Sequence, residues 1–210
     1  MSCPAASGGD RNGAEDGVPG LNMGPRSPEP RNGLTRNWFG RAVTTMALLG
    51  AFLLFLVQPL LAKAILPWFG GGPAVWVTAM LFFQVFLLLG YVGAVVLAGL
   101  PGHGQRWLYL GLAVAALLSL PILPGAHWRP ESVGIAQVMW LLTCAVGLPY
   151  LWLAMTAPLV QVWYARVCPG QSPYRLYAFS NLGSLAALLG YPGWFEPVFP
   201  LRQQAWCWTA

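Results

Sequence analysis

The sequence predicts an all-α protein: a polytopic transmembrane helix bundle of about five spans. Three observations predict it. Of the 210 residues, 57% are hydrophobic and only 8% charged, where ordinary soluble domains carry about 25% charged residues. The charge is also segregated, because beyond Arg41 the only acids are Glu131 and Glu196, too few to clothe a soluble surface. Finally, the apolar runs approach the ~20 residues needed to cross a bilayer as a helix. They are separated by breaker-rich segments such as "PWFGGGP", "GLPGHGQ" and "YPGWFEP", in which Gly and Pro end helices.

Residues 1–37 are rich in Gly, Pro, Ser, Arg and Asn. Such a composition cannot bury enough surface to fold and reads as a disordered tail, with Met23 as an alternative start. No short apolar core follows the first charges, as a signal peptide would require. The membrane domain then covers residues 38–210. Its spans are expected at about 41–66, 74–97, 107–123, 133–165 and 175–191. The fourth is long and contains Pro149 and Pro158.

Arg26, Arg31, Arg36 and Arg41 precede the first span, Arg106 follows the second, and Arg166 and Arg175 follow the fourth. The bias of Lys and Arg toward the cytoplasm places the amino terminus there. Lys63, Arg129, Arg202 and both acids then fall outside, and Cys207 is expected to be labelled from that side while Cys168 is not. Trp38, Trp107 and Trp163 fall at the inner boundary, and Trp68, Trp76, Trp128 and Trp194 at the outer, as an aromatic belt requires.

The chain resembles itself. Gly70, Pro73, Leu88, Leu89, Gly90 and Tyr91 recur one hundred residues later as Gly170, Pro173, Leu188, Leu189, Gly190 and Tyr191, and Pro59 recurs as Pro158. Chance is the competing explanation, since Leu, Gly and Pro are common here. Copies separated by three spans run in opposite directions, the inverted-repeat plan of secondary transporters. That plan predicts a sixth span resembling the third. "RQQAWCWTA" at the end of the sequence resembles the "GQRWLYLG" that opens span three, so the expectation is an inverted three-span repeat cut before its sixth span.

The polar residues within the spans are few. Lys63 admits three readings: snorkelling to the interface, a structural ion pair with Glu196 or else Glu131, or handling of a substrate or proton. Gln58, Gln84, Gln161 and Asn181 are amides at depth, serving as interhelical hydrogen bonds or lining a polar cavity. Gln58, Pro59 and Lys63 are expected to face protein rather than lipid. Gly183 with Ala187, and Ala186 with Gly190, stand at the small-xxx-small spacing of a close helix-packing face.

No catalytic constellation is readable. Cys3, Cys144, Cys168 and Cys207 form no C-x-x-C pair, and no cluster has metal-ligand spacing. His103 and His127 are expected in loops. "GGGP" is not a nucleotide loop, since no strand precedes it. No cofactor is therefore expected, and the Arg residues form no nucleic-acid stripe despite the net charge of +5.

The stretches "QPLLAKAILPWFGGGPAVW", "LFFQVFLLLGY", "GLPYLWLAMTAPLVQVW" and "SPYRLYAFSNLGSLAALLGYPGWFEP" together resemble the membrane portion of the bacterial fused major-facilitator/spermidine-synthase-like proteins. The resemblance covers the chain from about residue 43 onward. It implies a multi-pass module of the bacterial cytoplasmic membrane, in contact with lipid. Its implied partner is a spermidine-synthase-like soluble domain on another chain. The Gly-rich acidic loop by which that domain binds its nucleotide has no counterpart here, so no enzymatic residue carries over. The alternatives are a truncated non-catalytic fragment, or an anchor for a separately encoded polyamine-synthase-like enzyme.

Overall fold

The computed structural model describes residues 32–123, 134–167 and 174–209, with side chains from Trp38 onward. Among these residues every regular element is helical: α1 (Asn32–Phe69), α2 (Pro73–Ala98), α3 (Gly102–Leu118), α4 (Ile135–Leu142), α5 (Leu148–Val167), α6 (Tyr174–Gly190), α7 (Glu196–Val198) and α8 (Leu201–Thr209). A π turn, Thr143–Gly147, joins α4 to α5, and another, Tyr191–Phe195, joins α6 to α7. The result is five long rods and a short sixth. Three stretches are long and apolar enough to cross a membrane: Trp38–Phe69, Pro73–Ala98 and Ile135–Val167. Helices α3 and α6 are shorter, at 17 residues each, and α6 runs on through its π turn into α7.

Several boundaries differ from the sequence expectation. Helix α1 starts at Asn32, inside the segment expected as tail. It also passes through Pro67 instead of stopping before it. The chain then reverses on Gly70 (φ 73°) and Gly71 (φ 31°), conformations that favour glycine. Both amides donate to the Leu66 carbonyl, at 3.0 and 3.2 Å. Gly72 caps α2, and Pro73 opens it, where a missing N–H costs nothing. Helix α3 ends at Leu118, short of residue 123, because Pro121 disfavours helix in the residue before it. His103 lies in the first turn of α3, not in a loop.

Each π turn stands two residues ahead of a proline, Pro149 or Pro197. A proline donates no amide, and its ring strikes the carbonyl four residues back. Widening the preceding turn moves that carbonyl aside. "YPGWFEP", expected as a connection, is therefore continuous helix.

Contacts fix the direction of each rod. Gly183 lies against Leu48, while Glu196 meets Lys63, so α1 and α6 run parallel. Phe83 stacks near Tyr150, Gly90 meets Ala154, and Ala98 meets Arg166, so α2 and α5 also run parallel. Val43 clusters with Val160, whereas Gln58 meets Tyr150, so α1 and α5 are antiparallel. The most extensive packing is α1 on α6 and α2 on α5, followed by α1 on α5. If the α4–α5 rod repeats α1 and α6 repeats α2, the first two interfaces are images of each other, and the third maps onto itself.

Packing of apolar helices in lipid rests on close backbone approach, and each image interface has one. A Cβ placed on Gly90 would overlap that of Ala154. One placed on Gly183 would overlap the Leu48 carbonyl oxygen. Ala187 is fully buried beside it. Gly190 differs, because a Cβ there would sit 3.7 Å from the Phe195 ring, an ordinary contact, and Ala186 is exposed. Of the expected packing face, Gly183 and Ala187 belong to the crossing, and Gly190 and Ala186 do not.

The third and sixth rods dock in matching ways. Tyr109 on α3 hydrogen-bonds Thr156 at 2.9 Å, and Trp208 on α8 donates to the Leu53 carbonyl at 2.8 Å. Gln105 and Gln204, ninety-nine residues apart as Pro59 and Pro158 are, are both buried. Arg166 bonds the Ala98 carbonyl (2.7 Å) and Gln105 (3.4 Å) at the end of α2. Gln204 donates to the carbonyls of Phe195 (3.0 Å) and Phe199 (2.7 Å) beside α7. Cys207, next to Trp208, is exposed. Cys168 lies outside the described residues.

Candidate functional site: two cavities at the proline positions

Pro59 and Pro158 each lie inside a helix. Each leaves the carbonyl four residues back, on Phe55 or Ala154, without an amide partner. A cavity opens beside each proline.

The first, of about 320 Å³, lies toward the end of the bundle where α1 finishes. Helix α1 contributes Gln58, Pro59 and Ala62; α2 contributes Trp76, Ala79, Met80 and Phe83. Leu188 of α6, Tyr191 and Pro192 of the following π turn, and Glu196 complete it. Tyr191 is 4% exposed, and its hydroxyl has no hydrogen-bond partner among the described residues.

The second, of about 340 Å³, lies from mid-bundle toward the amino-terminal end of α1. Ninety-nine residues on from Gln58, Pro59 and Ala62 stand Ala157, Pro158 and Gln161, and all three line it. One hundred and one residues on from Trp76, Ala79, Met80 and Phe83 stand Tyr177, Ser180, Asn181 and Ser184, and all four line it. The correspondence works backwards too, with Leu188 and Pro192 matched by Leu87 and Tyr91. The α2 and α6 linings thus match at an offset one residue longer than that of Gly90/Gly190 and Tyr91/Tyr191, and the two cavities lie toward opposite ends of the bundle. Their chemistry differs: the first is largely apolar and aromatic, whereas Gln161, Asn181, Ser180, Ser184, Tyr91 and Tyr177 make the second polar.

Between them lies a thin partition. Gln58 lines the first cavity, and one turn earlier Leu54 lines the second. The Gln58 amide donates to the Tyr150 hydroxyl (3.1 Å) and to the Leu54 carbonyl (3.4 Å). Tyr150 is fully buried and cross-links α1 to α5 at this level.

Lys63 stands just beyond the first cavity. Its Nζ lies 2.6 Å from Glu196 Oε1, tying α1 to α7. Side-chain exposures of 44% and 41% place the pair at the rim and not in the core. Snorkelling alone does not describe a lysine so placed. Glu131, the other acid considered for it, lies outside the described residues.

Gln58, Gln161 and Asn181 therefore fall at the cavities, as do Pro59 and Glu196, but Asn181 is exposed at the open side of its cavity and not buried as expected. Gln84 does not: it is exposed on the outer face of α2. Its expected place as a buried interhelical amide is corrected, because the inward face at that level is taken by Phe82, Phe83 and Phe86, whose rings pack on one another. Sequence reading overlooked Tyr150, Tyr191, Ser180, Ser184 and the two buried glutamines. The offset shared by Pro59/Pro158 and Gln105/Gln204 was the available signal. No group of three or more His, Cys, Asp or Glu capable of holding a metal occurs among the described residues.

Comparison with known proteins gives no matching family model, no matching curated protein and no matching solved structure.

Proposed function

We propose that this chain is a solute-handling membrane module of transporter-like architecture, built as an inverted repeat. It works beside a spermidine-synthase-like soluble domain on another chain and carries no catalytic site itself. The observation that carries the proposal is the pair of equivalent cavities facing opposite ends of the bundle, separated by the Gln58–Tyr150 layer. An inverted repeat supplies two such half-sites, and rocking of one half against the other opens them in turn. The Arg distribution and the family resemblance support a bacterial cytoplasmic membrane with the amino terminus inside. The synthase-like partner rests on the resemblance alone.

Reciprocity is the test. Glu196→Gln removes the ion pair that holds α1 to α7 at the rim of the first cavity. Thiol labelling of Met80→Cys, in that cavity, should then speed up while labelling of Asn181→Cys, in the other, slows down. Faster labelling at Met80→Cys with no change at Asn181→Cys would describe local loosening of a static bundle and overturn the transporter reading.

A further inference from the structure

We infer that the cavity beside Pro158 accepts a small uncharged solute rich in hydroxyl or amide groups, and rejects both cations and anions. The inference rests on the two-cavity reading above and names the substrate class for it.

The lining carries the argument. Four helices converge there, and none contributes Asp, Glu, Lys, Arg or His. What they contribute is neutral and hydrogen-bonding: the amides of Gln161 and Asn181, the hydroxyls of Ser180 and Ser184, and the phenols of Tyr91 and Tyr177. Among the described residues no hydrogen bond takes up the Asn181 or Gln161 amide, while Ser184 turns its hydroxyl back to the Ser180 carbonyl at 3.1 Å. Amides and hydroxyls both donate and accept, which suits a ligand that does both. Pro158 adds acceptor capacity by leaving the Ala154 carbonyl without its helical amide.

A charged solute at this depth needs a counter-charge, because an ion without one is costly within a bilayer. Among the described residues the one ion pair near either cavity is Lys63–Glu196, at the rim of the other, and its two charges neutralise each other. The cavity volume of about 340 Å³ lies at the small end of ligand-binding pockets. Compact polyols and monosaccharides fit these limits. A polyamine, which the family resemblance would suggest, does not, because no carboxylate lines the cavity.

The experiment uses the full chain in lipid nanodiscs, with native cysteines replaced and Ser180→Cys introduced. Three thiosulfonate reagents of similar size are compared: neutral hydroxyethyl, cationic trimethylammonium-ethyl and anionic sulfonatoethyl. Rates are normalised to those at an exposed cysteine placed at Gly102, the first residue of α3. The neutral reagent should react faster than either charged one by at least about tenfold. Inositol or glucose should protect the cysteine where putrescine and succinate do not. Protection should be lost in the Gln161→Leu/Asn181→Leu variant, whose folding is checked by an unchanged unfolding midpoint.

Preferential reaction with a charged reagent, protection by putrescine or succinate, or failure of both neutral probes to protect would each overturn the inference. Such failures leave the two-cavity reading standing if Met80→Cys and Asn181→Cys still respond reciprocally. Loss of that reciprocity removes the reading itself.

Discussion

Gly183 and Gly190 sit on the same helix and belong to the same small-residue pattern, yet the structure gives them opposite tolerances. An alanine at Gly183 would press its methyl into the Leu48 carbonyl oxygen, with the carbonyl carbon at 3.1 Å and the Phe52 amide nitrogen at 3.3 Å. All three are backbone atoms of α1, so no side chain can rotate away. The helices must separate along their main interface, and overpacking of this kind costs about 1–3 kcal/mol. At Gly190 the same methyl meets only the Phe195 ring at 3.7 Å. Both substitutions gain the same intrinsic helix preference of alanine over glycine, about 0.5–1 kcal/mol. The difference between Gly183→Ala and Gly190→Ala therefore isolates the crossing, and should be about 1–3 kcal/mol in favour of Gly190→Ala. Reversible unfolding in mixed micelles with increasing sodium dodecyl sulfate, followed by far-UV circular dichroism, measures it. Equal stabilities within about 0.5 kcal/mol would show that α6 does not pack on α1 through Gly183, and the rod arrangement would fall with it.

Other outcomes follow from the same contacts. Tyr150→Phe removes the hydroxyl that accepts from Gln58 and should cost about 0.6–2 kcal/mol in the same assay; the double variant with Gln58→Leu should cost less than the sum of the two singles, and strict additivity would deny the bond. Lys63→Met and Glu196→Gln should couple in a double-mutant cycle by up to about 1 kcal/mol, the range for a half-exposed pair, and Lys63→Met should lower abundance; a variant as stable and abundant as the parent would remove the pair's role. Trp208→Phe, which deletes the donor to Leu53, should expose α8 to proteolysis while leaving α3 protected, whereas Tyr109→Phe should loosen α3; simultaneous loss of both would contradict independent docking. The purified chain should form no spermidine from putrescine and decarboxylated S-adenosylmethionine, and any turnover would place a catalytic site within it.

Much of the fold could be read from the residues, and the reasons are physical. Apolar length and Gly/Pro punctuation locate the rods, because a bilayer leaves the backbone few alternatives to helix. The pairing of Lys63 with Glu196 was accessible because so few charges remain beyond Arg41 that the options were nearly exhausted. The details that escaped depend on facing rather than on identity. Gln84 looks like any buried amide in one dimension, and only the packed Phe82, Phe83 and Phe86 rings show that its face points away. Gly190 matches a packing motif, but the crossing lies about two turns lower, at Gly183. The π turn ahead of Pro197 keeps a helix going through "YPGWFEP", where the sequence predicts a connection. Tyr150 carried no signal, since aromatic residues in a span are common and its hydroxyl partner, Gln58, comes from another helix; Tyr191 stands in the repeat as the match of Tyr91, but nothing in one dimension shows that it is buried at a cavity.

The two cavities stand or fall on which side of the membrane each one faces. Met80 lines the first and Asn181 the second, so Met80→Cys and Asn181→Cys each report on one cavity. Each can be labelled with a membrane-impermeant maleimide in right-side-out and in inverted vesicles from a strain expressing a cysteine-free background. With the amino terminus in the cytoplasm, Met80→Cys should be labelled faster in right-side-out vesicles and Asn181→Cys faster in inverted ones. Labelling of both positions from the same side would contradict an inverted pair of cavities, whatever solute they hold.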